Sequence, residues 1–408
     1  MKIVMCTDAY WPRVNGVTVS VDSFSRALVR AGHQVVIICS FYPDDQGVGR
    51  ISGVEMDRAR DPTEPTVIRV PSYTLPISKE DRVAKFHKWF WVSKQLNAFA
   101  PDIVHVNSEF VIGEFGFYYA KTHSLPVVYT FHTLWEDYAV NYIPWVPEFI
   151  LRFIARWIIK GMCNRAATVI APTDQIVAVM QRYKVKKRAY LLPTGIDPAL
   201  FAHEAAEIED FRQRLYAQYP TLRDRRILLF AGRIGREKNI SFLLRILPRV
   251  LAAHPDAMLV LAGNGPELRD FEEEAAGLGI ADQCVFTGYL DRSDLSLLYA
   301  ISELFVFPSR TETQGLVTIE AMLSGTPVVA IGEMGTRAVM GGDNGGFMVR
   351  NDPDEFASRV IQLLSDPELY GRKAREAIEH AQKWSIDNMT RRLEGIYRET
   401  LDAFHASR

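Results

Sequence analysis

The sequence predicts an α/β chain built as two doubly wound, Rossmann-like domains, and three observations lead there. Short runs rich in β-branched residues alternate with helix-length segments, the pattern of buried parallel strands with crossover helices. That alternation stops at a Pro/Gly-rich stretch, "LLPTGIDPALF", and then starts again. At 408 residues, 48% hydrophobic and 24% charged, the chain is long enough for two cores.

The strands of the first half are read at "KIVMCTD", "HQVVIICS", "TVIRVPS", "DIVHVNS", "PVVYTFHT" and "TVIAPT", with the stretch from Phe41 to Pro65 as a loop. A boundary falls between Thr194 and Pro198. Beyond it, "RILLFAGRI", "AMLVLAGNG", "CVFTGYL", "LFVFPSR" and "PVVAIGE" form the second set. A polar helical tail from about Asp366 to Phe404 follows the last of them.

Composition narrows the function classes. The four cysteines lack metal-ligand or redox spacing, no secretory leader pattern opens the chain, and no run of eighteen uncharged apolar residues is present. These features point to a reducing cytoplasm. Nothing in the motifs points to nucleic acid. The net charge of −2 is uneven: 23 Lys+Arg face 17 Asp+Glu up to Gly195, and 24 face 32 after it.

In doubly wound sheets, ligands bind at the carboxyl ends of the strands, so candidate residues are sought there. Gly16 follows the first strand, where a tight turn into a helix offers backbone amides to an anion. "GRIGREKN" brings Arg233 and Lys238 together, a guanidinium and an ammonium suited to a diphosphate; it lacks the pattern of a Walker loop. "AGNGPEL" adds Gly263 and Gly265 without completing a dinucleotide fingerprint. "SRTETQGLVTIEAM" sets Glu312 in a strand-end loop and Glu320 on the helix that begins near Gln314 or Gly315, whose free amides form a positive end. A helix cap at Thr311 or Thr313 accounts for Glu312 but leaves Glu320 unexplained.

Together, Glu312 and Glu320 with seven residues between them, "GLVTIEAMLSGTPVVA", "GRIGREKN" and "AGNGPE" resemble the donor half of the retaining GT-B glycosyltransferases of family four, over essentially the whole chain. The Thr-Glu-Thr-Gln-Gly form and "TFHTLWEDYAVNYIPW" are similar to bacterial diacylglycerol glucosyltransferases. The resemblance implies a GT-B fold, two facing Rossmann-like domains with a cleft between them. It implies an acceptor- and membrane-binding domain over residues 1–195, a nucleotide-sugar domain over 196–385, and a C-terminal helix over 386–408 returning to the first domain. The donor would be a UDP-sugar bound by Gly16, Arg233, Lys238, Gly263, Glu312, Thr313, Gln314, Gly315, Leu316 and Glu320. Arg233 and Lys238 would meet the diphosphate, Glu320 the ribose, and Glu312 the sugar hydroxyls. His132 and Glu312 would be the catalytic residues, with no cofactor and no divalent metal in the protein site. The acceptor base stays open, with Asp8, Glu136 and Asp137 near it in sequence.

Two segments bear on the acceptor independently. In "PEFILRFIARWIIKGMCNR", Glu148, Arg152, Arg156 and Lys160 recur every four residues, while Phe149, Phe153, Ile154, Trp157 and Ile158 cover much of the rest. A basic, aromatic-rich helix of this kind lies in a membrane interface; the alternative is that its apolar residues pack on the sheet and the cations snorkel. Phe149, Arg152, Phe153, Arg156, Trp157 and Lys160 are therefore the candidate membrane residues. "KEDRVAKFHKWFWVSKQL" is read as a second basic helix. The combined expectation is transfer of glucose from UDP-glucose to diacylglycerol on the inner face of the cell membrane. Another nucleotide sugar (UDP-galactose, UDP-glucuronate or GDP-mannose), a phosphoinositide or soluble acceptor, and a noncatalytic nucleotide-sugar-binding or membrane-bending protein are the alternatives.

Overall fold

The computed structural model describes residues 1–13, 15–42, 55–57, 64–75, 78–132, 146–312 and 314–408. It divides into two compact units: Met1–Gly195 with Ile386–Arg408, and Ile196–Ser385.

The first unit is organised around strand β1 (Lys2–Thr7) and its parallel neighbour β2 (Gln34–Ser40). Ile3 and Met5 enter one core with Val35, Ile37 and Cys39, and Val4 and Cys6 enter another with Val36 and Ile38. Both faces of each strand are thus apolar, which is why these segments read as continuous hydrophobic runs. Strands β3 (Glu55–Asp57), β4 (Thr66–Val70), β7 (Ile103–Val106), β8 (Val127–Thr130), β9 (Thr168–Ala171) and β10 (Ala189–Leu191) complete a sheet of order β10-β9-β8-β7-β1-β2-β4-β3. Only the β3/β4 pairing is antiparallel. Strands β5 (Ser72–Leu75) and β6 (Ser78–Ala84) form a separate antiparallel hairpin.

Helix α1 (Gly16–Arg30) starts where the Asn15 side chain accepts from the Thr18 amide, and it packs on one face of the sheet. The other face carries α2 (Trp89–Phe99), α3 (Val111–His123), α4 (Glu148–Arg165) and α5 (Asp174–Arg182). The expected basic helix over "KEDRVAKFHKWFWVSKQL" is therefore corrected. Its first part is strand β6, and the helix begins only at Trp89, where Trp89 and Val92 pack on the sheet. Most of the loop expected between Phe41 and Pro65 lies outside the described residues, and β3 interrupts it.

In the second unit, β11 (Arg226–Ala231), β12 (Ala257–Ala262), β13 (Cys284–Gly288), β14 (Leu304–Phe307), β15 (Val328–Ile331) and β16 (Gly346–Val349) run parallel in the order β13-β12-β11-β14-β15-β16. Around them lie α6 (Ala205–Gln218), α7 (Ile240–Ala253), α8 (Leu268–Gly277), α9 (Arg292–Ile301), α10 (Leu316–Leu323), α11 (Met334–Met340), α12 (Pro353–Ser365) and α13 (Pro367–Ala381). Asp352 and Asp366 cap α12 and α13, each followed by a proline at the first helical position.

The expected single tail is two helices. Helix α13 stays with the second unit, residues 382–385 break the run, and α14 (Ile386–Ala406) packs Ile386, Met389, Leu393, Ile396 and Tyr397 into the core beside α1. Polar contacts reinforce it. His33 Nε2 and Glu394 Oε1 are 2.6 Å apart, Tyr190 donates to Glu399 at 2.6 Å, and the Thr168 and Thr400 hydroxyls meet at 2.7 Å.

Candidate functional sites at the strand ends

In the second unit, the loops after β11, β12 and β14 come together because those strands are adjacent. Asn239 Nδ2 donates to the Pro308 carbonyl at 3.2 Å, Thr311 Oγ1 donates to the Glu237 carbonyl at 3.1 Å, and Lys238 Nζ lies 2.8 Å from Glu312 Oε2. "GRIGREKN" and "SRTETQG" are thus sewn into one surface. The loop after β12 adds to it: the Ile234 amide donates to the Asn264 carbonyl at 3.0 Å. Gly263 has φ +144°, and a Cβ there would sit 1.8 Å from the Gly232 carbonyl oxygen, so only glycine allows this approach.

Glu312 is held from two sides. Its Oε1 accepts from the Gly315 amide at 3.2 Å, and its backbone carbonyl accepts from the Gly335 amide at 2.8 Å. Gly315, at φ +69° and tight against Val339 and Gly335, turns the chain into α10 at Leu316. Thr311 is not the cap of this helix, since Gly315 occupies that position; Thr313, the other expected cap, lies outside the described residues. Gln314 and Leu316 flank the turn, both partly buried. Lys238 and Glu312 are mostly enclosed, with side chains 17% and 16% exposed. Arg233, by contrast, is exposed and forms no ion pair with a described residue.

Glu320 lies one turn into α10. Burial pushes its carboxyl up to about 7 against the pull of the Arg292 charge and a hydrogen bond from Tyr299; Glu312 raises it further. The Tyr299 hydroxyl donates to Glu320 Oε2 at 3.2 Å from α9, where its ring is fully buried. Tyr299 was not among the sequence candidates. It lies 21 positions from Glu320, and no local pattern links "LLYA" to the α10 carboxylate.

In the first unit, the carboxyl ends of β1, β7 and β8 carry Gly16, Asn107 and His132. A Cβ added to Gly16 would meet no heavy atom within 4 Å, so neither backbone conformation nor a close neighbour requires glycine at this helix start. Asp8 is engaged by its neighbours. Its buried carboxylate accepts from Ser108 Oγ at 2.6 Å and from the Ile112 amide at 3.1 Å, capping α3. Burial raises its pKa, and these hydrogen bonds pull it down. Glu136 and Asp137 lie outside the described residues.

His132 Nε2 is 3.1 Å from Asn107 Oδ1, and burial lowers its pKa to about 4. Asn107 was missed from sequence, although it directly follows a strand, the same positional signal that singled out His132. His105 and His33 have structural partners: His105 lies 2.7 Å from both Tyr397 Oη and Thr130 Oγ1, and His33 meets Glu394.

Helix α4 divides its apolar residues between the sheet and solvent. Leu151, Ala155, Ile159, Met162 and Cys163 are buried, whereas Phe149, Phe153 and Trp157 are 73%, 70% and 72% exposed and Ile154 is also exposed. Most of its large aromatic surface is therefore turned away from the sheet. Arg152 pairs with Glu148 at 2.7 Å, Arg156 lies over the Tyr183 ring, and Lys160 is partly exposed on the same stripe.

Comparison with known proteins agrees with this architecture. Residues 14–200 match the model of Glycosyltransferase Family 4, and residues 212–384 match Glycosyl transferases group 1. An α-monoglucosyldiacylglycerol synthase of Streptococcus pneumoniae is 30% identical over 98% of this chain and 86% of its own length. A protein of the same name from Acholeplasma laidlawii is 26% identical over 98% of both chains. Among solved structures, Anabaena HepE in complex with UDP superposes with a TM-score of 0.72 at 17% identity, over 98% of this chain and 100% of that one. Two parallel-sheet units, strand-end loops and matches spanning both halves lead to one assignment: the chain belongs to the family-4 glycosyltransferases of GT-B fold and is a hexosyltransferase.

Proposed function

We propose that the protein transfers glucose from UDP-glucose to 1,2-diacylglycerol at a membrane surface, retaining the α configuration. The observation that carries this reading is the exposed aromatic face of α4 with its basic stripe. Phe149, Phe153 and Trp157 supply apolar depth, and Arg152, Arg156 and Lys160 attract anionic headgroups at roughly 1 kcal/mol for each nearby cation. The names of the relatives support a lipid acceptor, and the UDP complex of the structural neighbour supports a uridine nucleotide.

In this reading Lys238 and Arg233 take the diphosphate, the amides from Gln314 to Leu316 serve phosphate and sugar, and Glu320 accepts from the ribose hydroxyls. The open space over Gly16 admits a phosphate to the backbone. Cleavage of the anomeric C–O bond leaves negative charge on the departing UDP, which preorganised cations and amides stabilise. The departing phosphate takes the proton of the acceptor hydroxyl as the new glycosidic bond forms on the same face. Glu312 holds Lys238 and the sugar rather than acting as a proton carrier. The protein's own cations meet the diphosphate charge, so a divalent metal is not part of the proposed site.

The test combines UDP-glucose with vesicles containing diacylglycerol, with and without anionic lipid, and identifies products by mass spectrometry. Glucosyldiacylglycerol formed faster on anionic vesicles is expected; equal turnover on a soluble sugar without vesicles sinks the lipid assignment. Replacing UDP-glucose by GDP-mannose in the same assay checks the donor.

A further inference from the structure

Asn107 fixes more about His132 than its position. The Asn107 side chain is buried, and its Nδ2 donates to the His105 carbonyl at 3.3 Å. The carboxamide oxygen is therefore the atom turned toward His132 Nε2, 3.1 Å away. Turning the amide over would set two acceptors, the Asn107 oxygen and the His105 carbonyl, against each other. A carboxamide oxygen only accepts, so the contact requires the proton on His132 Nε2.

Burial keeps the His132 ring neutral, its pKa lowered to about 4, so Nε2 carries its one ring proton. Nδ1 is then a bare lone pair. It is buried and has no hydrogen-bond partner among the described residues. The neighbouring His105 ring does not satisfy it, because both its nitrogens are engaged by Tyr397 and Thr130. An acceptor left open in this way suits a ligand that donates.

We infer that Asn107 is a positioning residue that holds His132 as the neutral Nε2–H tautomer, so that Nδ1 accepts a hydroxyl proton of the transferred sugar and selects neutral hexoses over those carrying a carboxylate or sulfonate. An ionised acid at Nδ1 would set acceptor against acceptor where water does not screen them, a repulsive element that discriminates more sharply than an added contact. The inference rests on the proposed contact between His132 and the donor sugar.

Nitrogen-15 NMR of ring-labelled histidine in the full-length protein reads the tautomer directly, and UDP-glucose against UDP-glucuronate reads the selection. The wild type is expected to show an unprotonated Nδ1 and to favour UDP-glucose by roughly 100-fold or more in kcat/KM. Asn107→Leu should release the tautomer and lower kcat/KM for UDP-glucose about 10-fold, as loss of a supporting partner commonly does. Asn107→Asp keeps an acceptor oxygen but favours the imidazolium, and should narrow the preference for UDP-glucose at least 10-fold. A proton on Nδ1 in the wild type, or equal use of the two donors, overturns the inference. Both measurements use the wild type and survive a failure of either variant to fold. Full turnover by His132→Ala instead removes the sugar contact itself, whatever the tautomer.

Discussion

The carboxyl ends of the two sheets hold their polar groups in opposite ways. In the second unit, charge sits beside countercharge: Lys238 on Glu312, Arg310 on Glu333, and Glu320 under the influence of Arg292. In the first unit, the two histidines at β7 and β8 are kept neutral, His105 and His132 both being pushed far below the ordinary imidazole range by burial. A strand end with paired charges is ready to exchange an internal counterion for a phosphate. One with neutral donors and acceptors is ready for hydroxyls. The contrast fits the proposed reading, in which phosphate meets charged strand ends and sugar hydroxyls meet neutral ones.

The strongest way to break this contrast is at Lys238. Lys238→Met should lower kcat with UDP-glucose about 100- to 1000-fold, the scale of losing one preorganised group that stabilises transition-state charge. Steady-state UDP release measures it, and a loss under 10-fold would remove the charged half of the comparison. Next in size is the outward-facing charge of the first unit. Arg152→Glu, Arg156→Glu and Lys160→Glu combined should weaken sedimentation with anionic vesicles about 100-fold, at roughly 1 kcal/mol per cation. Because the buried face of α4 is untouched, the circular dichroism of the variant should match the parent.

Glu320 sharpens the contrast through pH. Its raised pKa means that the ionised form gains hold only above about 7, so the donor KM of the wild type should rise as pH falls through that value. Glu320→Gln should raise donor KM about 10-fold at pH 8 and less at pH 6. Stability moves the other way. A carboxyl with a raised pKa stabilises the folded state fully below its unfolded pKa, and that contribution is lost as pH rises toward 7. Without nucleotide at pH 8, the Gln variant should therefore unfold at a higher urea midpoint than the wild type, corresponding to about 1–2 kcal/mol in unfolding free energy; a lower midpoint contradicts the buried-carboxylate account. The smallest effect is expected from Tyr397→Phe, which strips His105 Nδ1 of its partner. It should cost about 1 kcal/mol in chemical unfolding and leave nucleotide binding unchanged.

What could be read in advance follows from where each signal lies. Strands such as "KIVMCT" and "AMLVLA" were legible because both faces are buried, which writes the fold into an unbroken apolar run. Strand β6 was not, since "SKEDRVA" has the composition of a solvated helix and pairs only within a hairpin. Strand β16, four residues after a glycine-rich turn, is too short to announce itself. Glu312, Glu320, Arg233 and Lys238 stand out in the sequence because each falls in a loop or helix start after a strand, and the fold brings the loops carrying Lys238 and Glu312 together. Tyr299 and Asn107 contact Glu320 and His132 from distant positions, and the sequence spacing carries no record of such a contact. The ion pair between Lys238 and Glu312, residues 74 positions apart, was likewise beyond sequence reading: each residue had been selected for its own contact with a ligand.

Helix α14 also governs the order in which the molecule can be built. The ribosome releases Met1–Gly195 first, yet the core beside α1 needs Leu393, Ile396 and Tyr397, which emerge only after all of Ile196–Ser385. The second unit has its whole chain available before the first does. Emergence of α14 therefore completes the core beside α1 only after the second unit has been made, a keystone for the part made earliest.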